Sequence, residues 1–148
     1  MPSPKHAANV ERVLTRAARE CEGGPAWFGE GLPQGLRSAL EAAGREVGGA
    51  APALAFVDAS QCGSMTDVDL RARRVVVMSV DDLDQLEGTV QSTESCPVPV
   101  ARLICPFAVF DFTREGLRVR EILHGLTAAD LQAQLAAPLW AGPDLTQL

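Results

Sequence analysis

Two short polar segments carry the residues whose types and spacing could perform chemistry. The first is Gly29-Glu30-Gly31-Leu32-Pro33, which joins a short apolar run to the start of a helix. Glycines at such a junction let the backbone approach a ligand closely, and a helix N-terminus favours an anion or an oxyanion. Gly29 and Gly31 are therefore candidate substrate-binding residues, and Glu30 is a candidate general acid or base. The alternative is a tight turn with a solvated carboxylate.

The second segment is Ser60-Gln61-Cys62-Gly63, which follows another apolar run. A Cys62 thiolate would be a competent nucleophile, and Gln61 could donate a hydrogen bond to a reacting carbonyl. We therefore name Cys62 and Gln61 as candidate catalytic residues, with Ser60 and Gly63 as substrate-binding residues. The alternatives are a buried, inert thiol and a capped turn.

Composition removes several classes of function. Thirteen basic and nineteen acidic side chains give a net charge of −6, which disfavours binding to nucleic acid or an anionic membrane. The chain has two histidines, and its four cysteines have no two-residue spacing, so we expect no metal site and reduced thiols. Its apolar runs are too short to cross a bilayer. We expect one cytoplasmic domain spanning residues 1–148.

Hydrophobic spacing predicts the elements that must position these residues. We expect strands that alternate with helices, then a hairpin, and therefore an α/β fold: an open, mostly parallel sheet flanked by helices with a late antiparallel hairpin. The predicted helices are Ala7–Cys21, Pro33–Gly44 and Thr127–Ala136; the predicted strands are Ala26–Phe28, Ala53–Val57, Arg74–Val80, Ala108–Phe112 and Leu117–Leu123; Asp81–Val100 is predicted as a long loop, and the chain from Pro138 onward as a tail.

Four stretches resemble the β subunit of family I CoA-transferases, the acetoacetate, 3-oxoacid, 3-oxoadipate and glutaconate enzymes. Gly29–Pro33 resembles the family's G-x-G-L-P loop, and Arg73–Met78 resembles its A-K-R-V-I-V-T-M strand. Cys96–Thr113 is similar to the stretch that ends in L-A-V-F-D-F-T, and Gly116–Gln134 is similar to the closing G-L-x-L-x-E-I-A-P-G-V-T-x-E-E-L.

The chain also departs from the family, because it is shorter and lacks the catalytic glutamate. In the family that glutamate lies in an S-E-N-G or E-x-G motif after the second strand and forms a glutamyl-CoA thioester. One alignment places Gln61 at the glutamate position. A second alignment matches Leu54–Gln61 to a later V-L-G-A-L-Q-V-D strand, so that the whole glutamate segment is missing. Both alignments agree that the glutamate is absent.

The resemblance implies a substrate and a partner. It implies a coenzyme A thioester as substrate, no bound cofactor and an α-like CoA-transferase subunit, with the active site between the two subunits in a hetero-oligomer, possibly a heterotetramer. The missing glutamate favours decarboxylation, hydrolysis or another carbon–carbon step over CoA transfer. Two alternatives stay open: a transferase that uses Glu30 as a substitute nucleophile, and a non-catalytic subunit that stabilises or regulates its partner.

Overall fold

In the part of the chain that the structure describes, a seven-stranded β-sheet with its strands in chain order organises the fold. The computed structural model describes residues 4–20, 26–28, 54–64 and 74–148. The strands are β1 Ala26–Phe28, β2 Leu54–Asp58, β3 Arg74–Met78, β4 Arg102–Ile104, β5 Ala108–Thr113, β6 Gly116–Ile122 and β7 Leu139–Gln147; the helices are α1 Pro4–Ala18, α2 Leu86–Glu94 and α3 Ala128–Gln132, with 3₁₀ turns at Ala59–Ser64 and Leu83–Gln85.

The sheet is mostly parallel, as the sequence predicts. Strands β1 to β4 run parallel, β5 and β6 form an antiparallel hairpin, and β7 is parallel to β6. Phe28 is paired with Phe56, and Asp58 with Met78, so the carboxyl ends of β1, β2 and β3 lie side by side. We call this boundary the carboxyl edge. Ligands of open α/β sheets bind outside such an edge.

Both faces of the sheet are covered, which explains the run of valines in β3. Val76 packs with Val13 and Ala17 of α1 on one face. Val75 and Val77 point to the other face, where helices α2 and α3 pack. A strand buried on both faces needs apolar residues at every position rather than at alternate ones. The structure therefore confirms the prediction of a buried strand here.

A cluster of charged side chains joins the end of α1 to the sheet. Glu20 is 5% exposed and contacts Nη1 of Arg102 at 2.6 Å, Nη1 of Arg74 at 2.7 Å and Nη1 of Arg16 at 3.3 Å. Arg102 also donates to Asp111, and Arg16 donates to Glu121. We call these residues the Glu20 cluster.

The charged groups of the Glu20 cluster stabilise each other's ionised forms. Burial by itself would raise the pKa of Glu20, but hydrogen bonds from Arg102 and Arg74 outweigh it and lower that pKa. The hydrogen bond to Asp111, with a further contribution from Glu20, raises the pKa of Arg102 against the effect of burial.

The predicted loop over Asp81–Val100 is wrong, because it contains helix α2. The start of the turn at Leu83–Gln85 is capped by Asp82, whose backbone N–H donates to Oε1 of Gln85 at 3.1 Å. The buried face of α2 is formed by Leu86, Thr89, Val90 and Thr93. Two of these four residues are polar, so apolar spacing alone gives a weak signal. The two prolines lie beyond the end of the helix.

The predicted tail is also wrong, because Leu139–Gln147 forms strand β7. It pairs with β6 in two parts, Leu117 to Val119 and then Glu121 to Ile122, with a register shift between them. The bulge lets the strand accommodate Gly142 and Pro143.

The other predicted elements are confirmed with changed ends. Helix α1 begins at Pro4 and ends at Ala18, and the final helix ends at Gln132. The capping box at the start of the final helix is formed by Thr127 and Asp130. The Gly29–Pro33 loop and the helix predicted from Pro33 lie outside the described residues.

Candidate functional site

The Ser60–Gly63 segment begins directly at the carboxyl edge. Strand β2 ends at Asp58, and the 3₁₀ turn Ala59–Ser64 follows without a break. Oδ2 of Asp58 accepts a hydrogen bond from the backbone N–H of Ser60 at 3.0 Å and a shorter one from its hydroxyl. The carboxylate thus caps the turn and fixes its direction.

Asp58 is a residue that the sequence reasoning missed. It shares the edge with the candidate residues and orients Ser60 directly. The position of Asp58 in the sequence could have identified it, because an acidic residue directly after a buried strand marks the carboxyl end of that strand.

The four candidate side chains of this segment differ in their access to solvent. Ser60 and Gly63 are exposed, Gln61 is half-buried and Cys62 is fully buried. The turn therefore leaves Ser60 accessible and Gln61 partly accessible, and it buries the side chain of Cys62. No glutamate occurs between Leu54 and Ser64.

The Cys62 thiol contacts a second cysteine, Cys96, which the sequence analysis did not select. Cys96 follows the C-terminus of α2 and packs against the hydrophobic cluster that contains Cys62. This contact, and then burial, raise the pKa of Cys62, whereas the same contact lowers the pKa of Cys96 against the effect of burial. Cys62 therefore holds its proton and acts as a hydrogen-bond donor.

One backbone position shows how closely the turn packs against the end of α2. A Cβ placed on Gly63 would lie 3.3 Å from Oγ of Ser95, next to Cys96. The sulfur of Cys62 also lies 3.9 Å from the carbonyl oxygen of Asp58, a second acceptor for its proton.

The carboxyl end of β3 adds further acidic groups to the edge. Asp81 is exposed, and one of its carboxylate oxygens accepts a hydrogen bond from the Thr89 hydroxyl at 3.3 Å. Nδ2 of Asn9 donates to Oδ1 of Asp82 at 2.8 Å and to the Val80 carbonyl at 3.1 Å, which ties α1 to this end of the sheet. Cys105, after β4, is fully enclosed, and burial raises the pKa of its thiol.

Gly29, Glu30 and Gly31 lie outside the described residues. Strand β1 ends at Phe28, next to Phe56, so the chain enters this loop from the carboxyl edge.

Among residues 4–20, 54–64 and 74–148, no three His, Cys, Asp or Glu side chains gather to hold a metal ion. No helix in the described ranges is long and apolar enough to cross a membrane.

Comparison with known proteins gives matches at the level of structure. No family model and no curated protein matches the sequence. An acyl-CoA transferase, YdiF of Escherichia coli O157:H7, superposes in a thioester complex with CoA (TM-score 0.65, 12% identity) and as an apoenzyme (TM-score 0.64, 13% identity). These matches cover 95% and 100% of this chain but 43% and 44% of the YdiF chains, so the chain spans less than half their length.

A shorter relative in structure is the decarboxylase AibA/AibB. Its match has a TM-score of 0.60 at 17% identity and covers 93% of this chain and 87% of that chain. Variants of AibA/AibB with one cysteine replaced match equally well. The chain therefore has a CoA-transferase-like α/β fold.

Proposed function

We propose that the chain is a small, β-like subunit of a CoA-transferase-like enzyme that acts on an acyl-CoA thioester. YdiF, an acyl-CoA transferase with the same fold, is more than twice as long as this chain, which covers 43% of it. AibA/AibB is named for two components, and one of its chains is almost fully covered. Both facts support an α-like partner subunit that completes the site.

The observation that carries this proposal is the turn Ser60–Gly63 at the carboxyl edge. It follows β2 directly, is oriented by Asp58 and contains no glutamate. CoA transfer through a glutamyl-CoA thioester requires an ionised carboxylate nucleophile, and the Gln61 amide neither ionises nor attacks a thioester. The chemistry we propose is therefore decarboxylation, hydrolysis or another carbon–carbon step. A decarboxylase with this fold supports that range.

Each candidate residue has a proposed role within that chemistry. Ser60 and Gln61 position the carbonyl or carboxylate of the substrate through hydrogen bonds. Gly29, Gly31 and Gly63 let the backbone approach the thioester. Cys62, which is buried and protonated, holds a proton next to the turn, and Glu30 is the second proton carrier. Asp58 is a positioning residue, because it acts through Ser60.

The test begins with the complex. The full chain would be co-expressed with an α-like CoA-transferase subunit encoded next to it, and we expect a stable assembly from the pair and self-association or aggregation of the chain alone. A well-behaved monomer that binds no such partner would contradict the proposal.

Product analysis then separates the reactions. The complex would be incubated with acyl-CoA esters, and mass spectrometry would follow CoA exchange, free CoA and carbon dioxide. We expect no exchange between two CoA esters and no borohydride-sensitive glutamyl-CoA adduct on this chain. Such an adduct at Glu30 would restore the transferase hypothesis.

Three variants assign the roles. Loss of activity in Cys62→Ala with retention in Glu30→Gln favours the thiol, and the reverse favours the carboxylate. Cys105→Ala is the matched control, because it removes a buried thiol from the same sheet. If an active complex tolerates every change in the Ser60–Gly63 turn and at Glu30, the chain is a non-catalytic subunit.

A further inference from the structure

Cys96 lies next to Cys62, and the proposed function gives Cys96 no role of its own. The two residues come from different elements, the 3₁₀ turn after β2 and the bend after α2, and both carry free thiols. Close packing of Gly63 against Ser95 holds the two backbones together. Two thiols in contact are the reactants of a disulfide.

The two thiols are not equivalent. Cys62 is fully buried, whereas Cys96 is half-buried and lies outside helices and strands. The neighbouring Cys62 thiol lowers the pKa of Cys96, and Cys96 is also the more accessible of the two sulfurs. A thiolate that is accessible attacks, and a neighbouring thiol that is shielded resolves the product.

Cys96 opens onto a cleft of about 550 Å³. The walls of the cleft are partly apolar, with Val98, Val100 and Phe112, and its charged groups are Glu94 and Arg114. A cleft of this size accepts a small molecule. Arg114 is suited to an anionic group and Glu94 to an ammonium group, which are charges that peptide thiols carry.

We propose that Cys96 and Cys62 form a redox-active dithiol that is oxidised by a low-molecular-weight disulfide in this cleft. The Cys96 thiolate attacks one sulfur of that disulfide, the bond between its sulfurs breaks, and the released thiolate takes up a proton. Cys62 then loses its proton and attacks the Cys96 sulfur, and the second small thiol leaves. In total, two protein thiols are oxidised to one disulfide and one small disulfide is reduced to two thiols.

Oxidation has a consequence for the turn that carries Ser60 and Gln61. The new bond would fix this turn to the end of α2 and remove the proton of Cys62. If the proposed function is right, oxidation lowers the activity of the complex, and a dithiol reductant restores it.

The test uses the full chain, glutathione disulfide and coenzyme A disulfide as separate oxidants, and peptide mapping by mass spectrometry. With either oxidant, we expect the wild-type protein to lose two hydrogens and to yield a linked peptide of Cys62 and Cys96. Cys62→Ala should stop at a mixed disulfide on Cys96. The rate at which each remaining cysteine is modified should also differ between the two variants. Cys62 in the Cys96→Ala variant should react at least about tenfold more slowly than Cys96 in the Cys62→Ala variant.

Two controls keep the test decisive. Cys105→Ala should form the same linked peptide as the wild type, since Cys105 is buried and follows β4, a different element from those that carry Cys62 and Cys96. Cys96→Ser replaces Cys96→Ala if the alanine variant loses its native circular dichroism spectrum. A wild-type protein that stays reduced with both oxidants, or a link through Cys105 or Cys21, would overturn the proposal. The readout is a mass, so it stands apart from the enzyme assay: a disulfide that forms without any change in activity would count against the proposed catalytic role of Cys62 and not against the redox proposal.

Discussion

Replacement of Glu20 by glutamine tests whether the buried charges below α1 stabilise the fold. Gln has nearly the same shape as Glu, so the change removes the negative charge and leaves the packing intact. Arg16, Arg74 and Arg102 all point at this carboxylate. The variant leaves them with one anion fewer in a site that excludes most water.

The size of the effect follows from the contacts. A hydrogen bond to a charged group contributes about 1.5–3 kcal/mol, and a stranded buried charge costs about 3–5 kcal/mol. Arg102 and Arg16 keep Asp111 and Glu121 as partners, and Arg74 is partly solvated, so the full cost of a stranded charge does not apply. We expect Glu20→Gln to lower the free energy of unfolding by about 3 kcal/mol.

The effect should also depend on pH with a defined sign. The pKa of Glu20 is lowered in the folded protein, so its carboxylate stabilises the fold above the pKa of the unfolded chain, about 4.5. This contribution is lost as the pH falls through the lowered folded pKa. The difference between wild type and Glu20→Gln should therefore be full near neutral pH and should shrink in acid.

Urea unfolding followed by circular dichroism measures both quantities. Glu11→Gln is the matched control, because Glu11 lies on helix α1, directly before the turn that holds Glu20, but is exposed, and we expect it to change stability by less than about 0.5 kcal/mol. The reasoning is refuted if Glu20→Gln costs no more than Glu11→Gln, or if its cost is the same at pH 3 and pH 7.

Two further predictions concern glycines. Gly116→Ala should destabilise the protein by about 1–3 kcal/mol, because φ is +120° at this position of the hairpin. Gly88→Ala should stabilise the protein by about 0.5–1 kcal/mol, because Gly88 lies on the exposed side of α2 and a Cβ there would meet no atom within 4 Å. Equal changes in the thermal unfolding midpoint of the two variants would contradict this. Gly31→Val should lower the activity of the assembled complex while the circular dichroism spectrum stays native, and full activity in this variant would place the site elsewhere.

The sequence predicted those elements whose apolar residues decide the structure. The valines of β3 and the hairpin around Gly116 are examples, because burial on both faces and a residue with positive φ leave clear patterns. Helix α2 was missed because threonines fill half of its buried face, and β7 was missed because Gly142 and Pro143 interrupt it at a bulge.

The candidate site was predictable in part. The Ser60–Gly63 turn follows from a polar segment after a buried strand, and the structure places it there. The contact between Cys62 and Cys96 depends on how α2 packs against that turn, and neither residue type nor spacing encodes this packing. The loop at Gly29 remains a prediction.

The order of the strands has a consequence for how the chain folds. Each strand pairs with the strand before it, so no later strand has to insert between two that have already paired. A chain emerging from the ribosome can therefore add strands one at a time at a growing edge. Arg16 of α1 is the exception, because its partner Glu121 lies in β6. Arg16 also contacts Glu20, four residues along the chain, but its contact with Glu121 can form only after β6 has been synthesised, so the docking of the first helix is completed late.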